Sequence, residues 1–216
     1  MTVSAQTSAP WTAATGAELW AGEVRVNLFR LISIAGFYVH HLVDYYWAHV
    51  EFPRHYHLVV TGIAAAWALG AAALHMGLAR RWNPPYLKYG ALWWDSFMTT
   101  TLLVFSGGPR SPFIALLFLV IATAPLRLQL KVVWVATILA IVSYGFVCGH
   151  SRWMPPDWRV STREHVIVVL ALVGAGVLAG QSVRQARRLA LDYGDRLRPE
   201  ELEPDPPAVG KEAAAP

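Results

Sequence analysis

Six apolar segments, each close to the length of a membrane span, make up most of this chain. We predict helices over residues 26–47, 58–79, 86–105, 112–128, 132–149 and 164–184. A helix needs ~20 mostly apolar residues to cross a bilayer. Proline and glycine, which disfavour helix continuation, separate the segments at Pro53, at 82–85 and at 107–109. The sequence therefore predicts an all-α, polytopic membrane protein, a bundle of six transmembrane helices.

The composition supports this fold class. Hydrophobic residues make up 55% of the chain and charged residues only 15%, and the mean hydropathy is +0.38. A soluble domain has about 25% charged residues, so the composition excludes a soluble globular domain and a disordered chain. The net charge is +4, but the basic residues lie between apolar segments. We therefore interpret them as topology signals and expect no nucleic-acid partner.

The distribution of Lys and Arg predicts the orientation. With the N-terminus in the cytoplasm, twelve of the Lys and Arg residues between 25 and 198 lie on the inner side and five on the outer side. We therefore expect both termini to be cytoplasmic, in a bacterial inner membrane. The predicted organisation is a flexible N-terminus (1–23), a transmembrane domain (24–185), a basic helical extension (186–198) and a disordered acidic tail (199–216).

A glycine-rich turn between the third and fourth predicted helices is the most distinctive segment. Two glycines permit backbone conformations that other residues avoid, and a following proline starts the next helix. The segment is either a tight loop or a cradle whose N–H groups bind a polar ring, with an aromatic side chain on the ring face. Its candidate ligand-binding residues are Gly107, Gly108, Arg110, Ser111, Pro112 and Phe113.

The run Gly107-Gly108-x-x-Ser111-Pro112-Phe113 resembles the GGxxNPF element of RegB/PrrB-type redox-sensing histidine kinases. The resemblance extends over residues 25–185, with Asp95 in the third helix, and Ser111 stands where the family has Asn. It implies a six-helix sensor region that binds quinone at the turn. The sequence shows neither a phospho-acceptor domain nor an ATP-binding domain, so we expect a sensor region without the kinase, and no enzyme.

Polar residues inside predicted helices form a second group of candidates. A carboxylate such as Asp95 is costly in a membrane, so it is either a ligand or proton site or a structural hydrogen-bond partner. His40 and Asp44 are spaced i,i+4 and share a helix face, with His41 beside them. They either provide a polar, titratable contact for a quinone or are interfacial residues that reach towards water.

Histidines also raise metal and haem hypotheses. His49, His55 and His57 are weak candidates for copper or zinc ligands, and a solvated loop is the alternative. A b-type haem would need two histidines on different helices, such as His41 with His165 or His40 with His57. Cys148 is the only cysteine, which excludes an intramolecular disulfide, and we interpret it as a core residue.

Two main functions follow from these observations. The first is a sensory or regulatory membrane domain that binds a quinone-type ligand near the outer leaflet and signals to a cytoplasmic partner. The alternative is an accessory subunit of a membrane electron-transfer or photosynthetic complex that holds quinone, lipid or haem. Expected partners are membrane lipid and a membrane or cytoplasmic protein, with a homodimer as one option. A small transporter is a weaker third hypothesis.

Overall fold

The computed structural model describes residues 9–47, 54–81, 84 and 86–197, and it describes side-chain environments within residues 20–192 of these ranges. These residues form helices and turns without any strand. Six α-helices follow one another along the chain: α1 (Ala9–Tyr46), α2 (Arg54–Ala79), α3 (Leu87–Phe105), α4 (Ala115–Thr123), α5 (Leu130–Ser151) and α6 (Thr162–Leu197). The predicted all-α class is confirmed.

Four of the described segments are long and apolar enough to cross a membrane. They lie at Trp20–Tyr46, Arg54–Ala79, Leu130–Ser151 and Pro156–Asp192, the pattern of a multi-pass membrane protein. The third helix, α3, is not among them because Lys88, Asp95 and a run of threonines lower its hydropathy. The fourth apolar segment, Pro112–Arg127, is shorter than a full span.

The helix ends differ from the predicted ends in two places. The first helix, α1, begins at Ala9 instead of residue 26, so much of the expected flexible N-terminus is helical. In the fourth segment the α-helix proper covers only Ala115–Thr123, between 3-10 turns at Pro112–Ile114 and Ala124–Arg127. Pro125 lacks an amide hydrogen, and Leu128 then adopts a left-handed conformation (φ 52°) that ends the segment. The predicted acidic tail lies outside the described residues.

The helices enclose two hydrophobic cores. The larger core, between α3, α4, α5 and α6, includes Leu103, Leu117, Ile121 and Val133. The smaller core, between α1, α2 and α3, includes Ile34, Val60, Trp67 and Leu102. Phe113 packs against both cores.

Two contacts fix α6 against its neighbours. A Cβ at Gly176 would overlap the side chain of Thr137 on α5, so this glycine permits the close approach expected of small residues in membrane helices. Near the other end of α6, the Arg187 guanidinium donates two hydrogen bonds, of 2.9 and 3.1 Å, to the carbonyl oxygen of Leu128. The C-terminal part of α6 therefore stays attached to the turn between α4 and α5.

Candidate functional site

The Gly-Gly turn begins where α3 ends. The Ser106 N–H closes the helix by bonding to the carbonyls of Leu102 and Leu103. Gly107 (φ 102°) and Gly108 (φ 68°) then both adopt left-handed backbone conformations, which only glycine reaches without strain. The conformational role predicted for the two glycines is confirmed.

Four contacts hold the turn in place. Ser111 is buried, shares a hydrogen bond of 2.9 Å with the Ser106 hydroxyl, and accepts a bond from the Phe113 N–H. Arg110 is exposed and donates to the carbonyl of Asp157 at 3.2 Å. The ring of Trp158 covers Gly108, where an added Cβ would lie 3.2 Å from the indole. These contacts hold the turn in place beneath the connection between α5 and α6.

Phe113 extends from the turn into the bundle, whereas Pro112 before it is exposed. The Phe113 ring meets Phe37 of α1 edge to face, with 5.7 Å between the ring centroids. Beside this contact lies a cavity of about 30 Å³, lined by Phe113 and, on α1 and α2, by apolar residues together with Tyr38 and Trp67. Helices α1, α2 and α3 thus meet the start of the fourth segment around this ring.

Asp95 faces the bundle interior, as its cost in a membrane predicts. The Arg30 guanidinium donates from Nε to Oδ1 and from Nη2 to Oδ2 of Asp95, each at 2.6 Å. The indole of Trp67 donates to Oδ1 at 2.9 Å. Both charged residues are only 7% exposed. A bidentate guanidinium–carboxylate pair with a third donor satisfies most of the lone pairs that burial would otherwise leave unbonded.

Asn27 completes this polar cluster from the next turn of α1. Its side-chain oxygen accepts from Arg30 Nη1 at 2.6 Å, and its amide nitrogen donates to the carbonyl of Ala71 on α2 at 3.1 Å. The cluster of Asn27, Arg30, Trp67 and Asp95 therefore links α1, α2 and α3 through hydrogen bonds.

A second buried ion pair lies at the opposite end of the bundle from the Gly-Gly turn. The Nε of Arg127 contacts both carboxylate oxygens of Glu23, at 2.9 and 3.0 Å. Arg127 is 2% exposed, and its two terminal nitrogens have no hydrogen-bond partner among the described residues. Gly22 permits this packing, since a Cβ there would lie 2.6 Å from the carbonyl oxygen of Leu126.

Aromatic and imidazole rings cluster where α1 ends and α2 begins. His41 is buried and lies 3.1 Å from His57, nitrogen to nitrogen. Tyr45 stacks on His57 with 4.1 Å between centroids, and Tyr56 meets His41 edge to face. His55 is exposed, and His49 lies outside the described residues. Within the described part of the chain, no three His, Cys, Asp or Glu side chains are grouped closely enough to hold a metal ion.

The remaining histidine candidates fall into separate places. His40 and Asp44 form the predicted i,i+4 pair at 3.1 Å, but both side chains are well exposed. His165 stacks on Tyr144 and lies 3.3 Å from the Cys148 sulfur, on α5 and α6. The proposed haem pair of His41 with His165 is thus divided between two different ring clusters. The structure pairs His57 with His41, where the sequence had suggested His40.

The partners of Asp95 could not be identified from the sequence, because the donors come from α1 and α2. Arg30 and Arg127 were interpreted only as topology charges, although both are buried. One signal was present: Glu23, Asn27 and Arg30 are spaced i,i+4,i+7, which puts three polar side chains on one face of an apolar helix.

Trp67 connects the two candidate centres. Its ring lines the cavity beside Phe113, and its indole N–H holds Asp95. Comparison with protein-family models, with curated proteins and with solved structures finds no match to this chain. The geometry around Trp67 is therefore the main basis for a functional proposal.

Proposed function

We propose that this protein is a membrane-embedded sensory or regulatory domain that binds a quinone-type ring between the Gly-Gly turn and α1. The observation that carries the proposal is the shared position of Trp67. A ring inserted between Phe37 and Phe113 presses on the same indole that donates to Asp95. Ligand binding at the turn is thereby coupled to the buried ion pair.

The size of the cavity means that side chains around it must move before a ring can enter. A volume of about 30 Å³ matches the share of one water molecule in the liquid, so a quinone ring enters only if Phe113 moves away from Phe37. Stacking of the quinone on these aromatic rings favours the open form, in which Phe113 has moved away from Phe37. A ligand shifts an equilibrium by the difference between its affinities for the two states. Tight binding to the open form would therefore increase the fraction of molecules in that form.

The polar contacts differ from those suggested by the sequence. His40 and Asp44 do not line the cavity, and His41 is engaged with His57. The nearest hydroxyl is that of Tyr38, which lines the cavity and lies 3.3 Å from the Thr61 hydroxyl. We propose that this pair bonds the quinone carbonyl, and that Gly107 and Gly108 provide the backbone freedom for Phe113 to move.

The fourth segment offers a route for the signal. Its start carries Phe113, and its end carries Arg127, paired with Glu23. The following residue, Leu128, accepts the hydrogen bonds from Arg187 on α6. A displacement at the turn would therefore move the attachment point of the α6 extension, where we propose that a cytoplasmic partner protein binds. In this proposal the chain has six spans with both termini in the cytoplasm of a bacterium, and it catalyses no reaction.

Titration with a short-chain quinone analogue tests the ligand proposal. The purified full chain is reconstituted in nanodiscs and binding is followed by intrinsic Trp fluorescence. Gly108→Val strains a left-handed position and displaces Trp158, so we expect loss of binding. Phe113→Ala removes one ring face and should weaken binding by about 1 kcal/mol or more.

The matched control is Gly62→Val on α2, where an added Cβ meets nothing within 4 Å. It should bind like the parent chain. Equal affinity of the parent and Gly108→Val would contradict the ligand role of the turn. A second variant, Trp67→Phe, keeps the ring but removes its hydrogen bond to Asp95, so it should retain binding and lose any ligand-induced stabilisation of the bundle.

A groove on the surface of α3 and α5 favours the second candidate function, an accessory subunit of an electron-transfer complex. It has a volume of about 480 Å³ and is lined by Trp93, Phe97, Phe105 and Phe146. The buried Ser96 hydroxyl in its wall has no hydrogen-bond partner among the described residues. Stable co-purification with cytochromes, or a Soret band in the purified protein, would support this function instead.

A further inference from the structure

A cleft of about 620 Å³ lies between the end of α5 and the start of α6. The quinone proposal does not use it. Unlike the apolar grooves on other faces of the bundle, it is lined largely by polar groups. The residues that shape it are Gly145, Gly149, Arg152, Arg159, Thr162 and His165.

The cleft lies where two membrane spans end. Helix α5 stops at Ser151, and the next candidate span starts at Pro156. Trp153, in the connection between them, is 87% exposed, and tryptophan side chains are enriched at the boundary between lipid tails and water. The cleft therefore opens at the level of the lipid headgroups.

The charge of the lining is positive. Arg152 and Arg159 both line the cleft, and no carboxylate side chain does so among the described residues. The nearby Glu164 carboxylate accepts from the Ser161 N–H, where it caps the start of α6. Arg159 donates to the carbonyl of Arg152 at 3.4 Å, which keeps the two residues adjacent. The Arg152 guanidinium has no hydrogen-bond partner within the described part of the chain.

Two arginines that line one cleft suit an oxyanion. The planar fork of arginine matches the geometry of phosphate and binds it through paired, charge-assisted hydrogen bonds. Gly145 and Gly149, one turn apart on α5, leave the space open, since a Cβ at either position meets nothing within 4 Å. We propose that this cleft binds a phosphate group held by Arg152 and Arg159, supplied either by a lipid headgroup or as a free phosphate ion.

The test measures phosphate binding by the purified full chain. In one arm, nanodiscs of phosphatidylcholine contain increasing fractions of phosphatidylglycerol, and retained lipid is counted by native mass spectrometry. In the other arm, inorganic phosphate is titrated and followed by Trp fluorescence, for which Trp153 and Trp158 are local reporters. Arg152→Gln and Arg159→Gln should each weaken binding about tenfold or more, because each removes a charge-assisted fork.

Two further variants distinguish a specific phosphate site in the cleft from non-specific attraction by positive charges on the surface. Arg163→Gln removes an exposed arginine from the first turn of α6 that does not line the cleft, so it should bind like the parent chain. Gly149→Leu fills the cleft without altering any charge and should also abolish binding. Because Gly149 is helical and faces open space, this variant should fold, and a thermal unfolding curve verifies that it does.

If the parent chain retains phosphatidylglycerol preferentially, and Arg152→Gln and Arg159→Gln lose this preference, the site binds a lipid headgroup. Saturable binding of inorganic phosphate without a lipid preference assigns it to the free ion. An equal effect of Arg152→Gln and Arg163→Gln, or no phosphate binding by the parent in either arm, would overturn the proposal. The quinone site uses residues of α1, α2 and the turn, so neither result decides it.

Discussion

The core between α3, α4, α5 and α6 and the core between α1, α2 and α3 differ in the polar side chains buried beside them. Leu103, Leu117 and Ile121 fill the first by shape alone. The second contains similar apolar residues, but Asp95 with its partner Arg30 is buried beside them. The first core loses stability in proportion to the volume removed. The second also depends on keeping two opposite charges together.

This difference indicates which half of the bundle can change state. A buried ion pair is stable only while its two charges stay together, because no water is present to solvate either charge alone. Trp67, which donates to Asp95, is therefore the position at which a ligand would have the largest effect on the bundle.

The largest expected effect comes from breaking the Arg30–Asp95 pair. Asp95→Leu leaves the Arg30 charge buried without a counter-ion and should lower the free energy of unfolding by about 3–5 kcal/mol. Asp95→Asn should be milder, because an amide still accepts from Trp67 and Arg30. The measurement is denaturant unfolding of the purified chain in detergent.

A double substitution sharpens the same prediction. If the cost is that of an unpaired charge, Arg30→Met combined with Asp95→Leu should be more stable than Asp95→Leu alone. A Leu variant as stable as the parent chain would show that the pair contributes nothing to the fold.

A smaller effect is expected from overpacking the apolar half. Gly176→Val places a side chain against Thr137 and should cost about 1–3 kcal/mol. Gly174→Val, two residues earlier on α6, is the matched control because a Cβ there meets nothing within 4 Å. Denaturant unfolding of both variants gives the difference directly. Equal stabilities would mean that α5 and α6 do not approach closely at this point.

The smallest effect is expected at Thr99, on the helix that both cores share. Its hydroxyl is buried and lacks a hydrogen-bond partner among the described residues. Thr99→Val keeps the shape and removes this hydroxyl, so stability should change by less than about 0.5 kcal/mol or rise slightly. Thr137→Val, which removes a hydroxyl bonded to the carbonyl of Val133 at 2.8 Å, should be less favourable by thermal unfolding. A clear loss at Thr99 would reveal a hidden partner for its hydroxyl.

Features that depend on local sequence could be predicted. The apolar runs indicated the α-helices, and Gly107 and Gly108 adopt the left-handed conformations for which glycine is suited. The cost of a buried carboxylate correctly placed Asp95 inside the bundle. These features follow from chain chemistry within a few residues.

The partners of Asp95 could not be predicted in the same way. Arg30 and Trp67 lie far from Asp95 in the sequence, and only the packing of three helices brings them together. A positive-inside count treats every arginine as a loop charge, so it hides a buried one. The same limit applies to the walls of the cleft, which come from both α5 and α6, although its two arginines are close in the sequence.

The pairing of Arg30 with Asp95 also bears on how the protein responds to the electrical potential across its membrane. A single charge that crosses the full field gains or loses about 2.3 kcal/mol per 100 mV. Arg30 and Asp95 carry opposite charges 2.6 Å apart, so a shift that moves them together transfers no net charge. As long as the pair is intact, a movement of these two side chains together depends little on voltage.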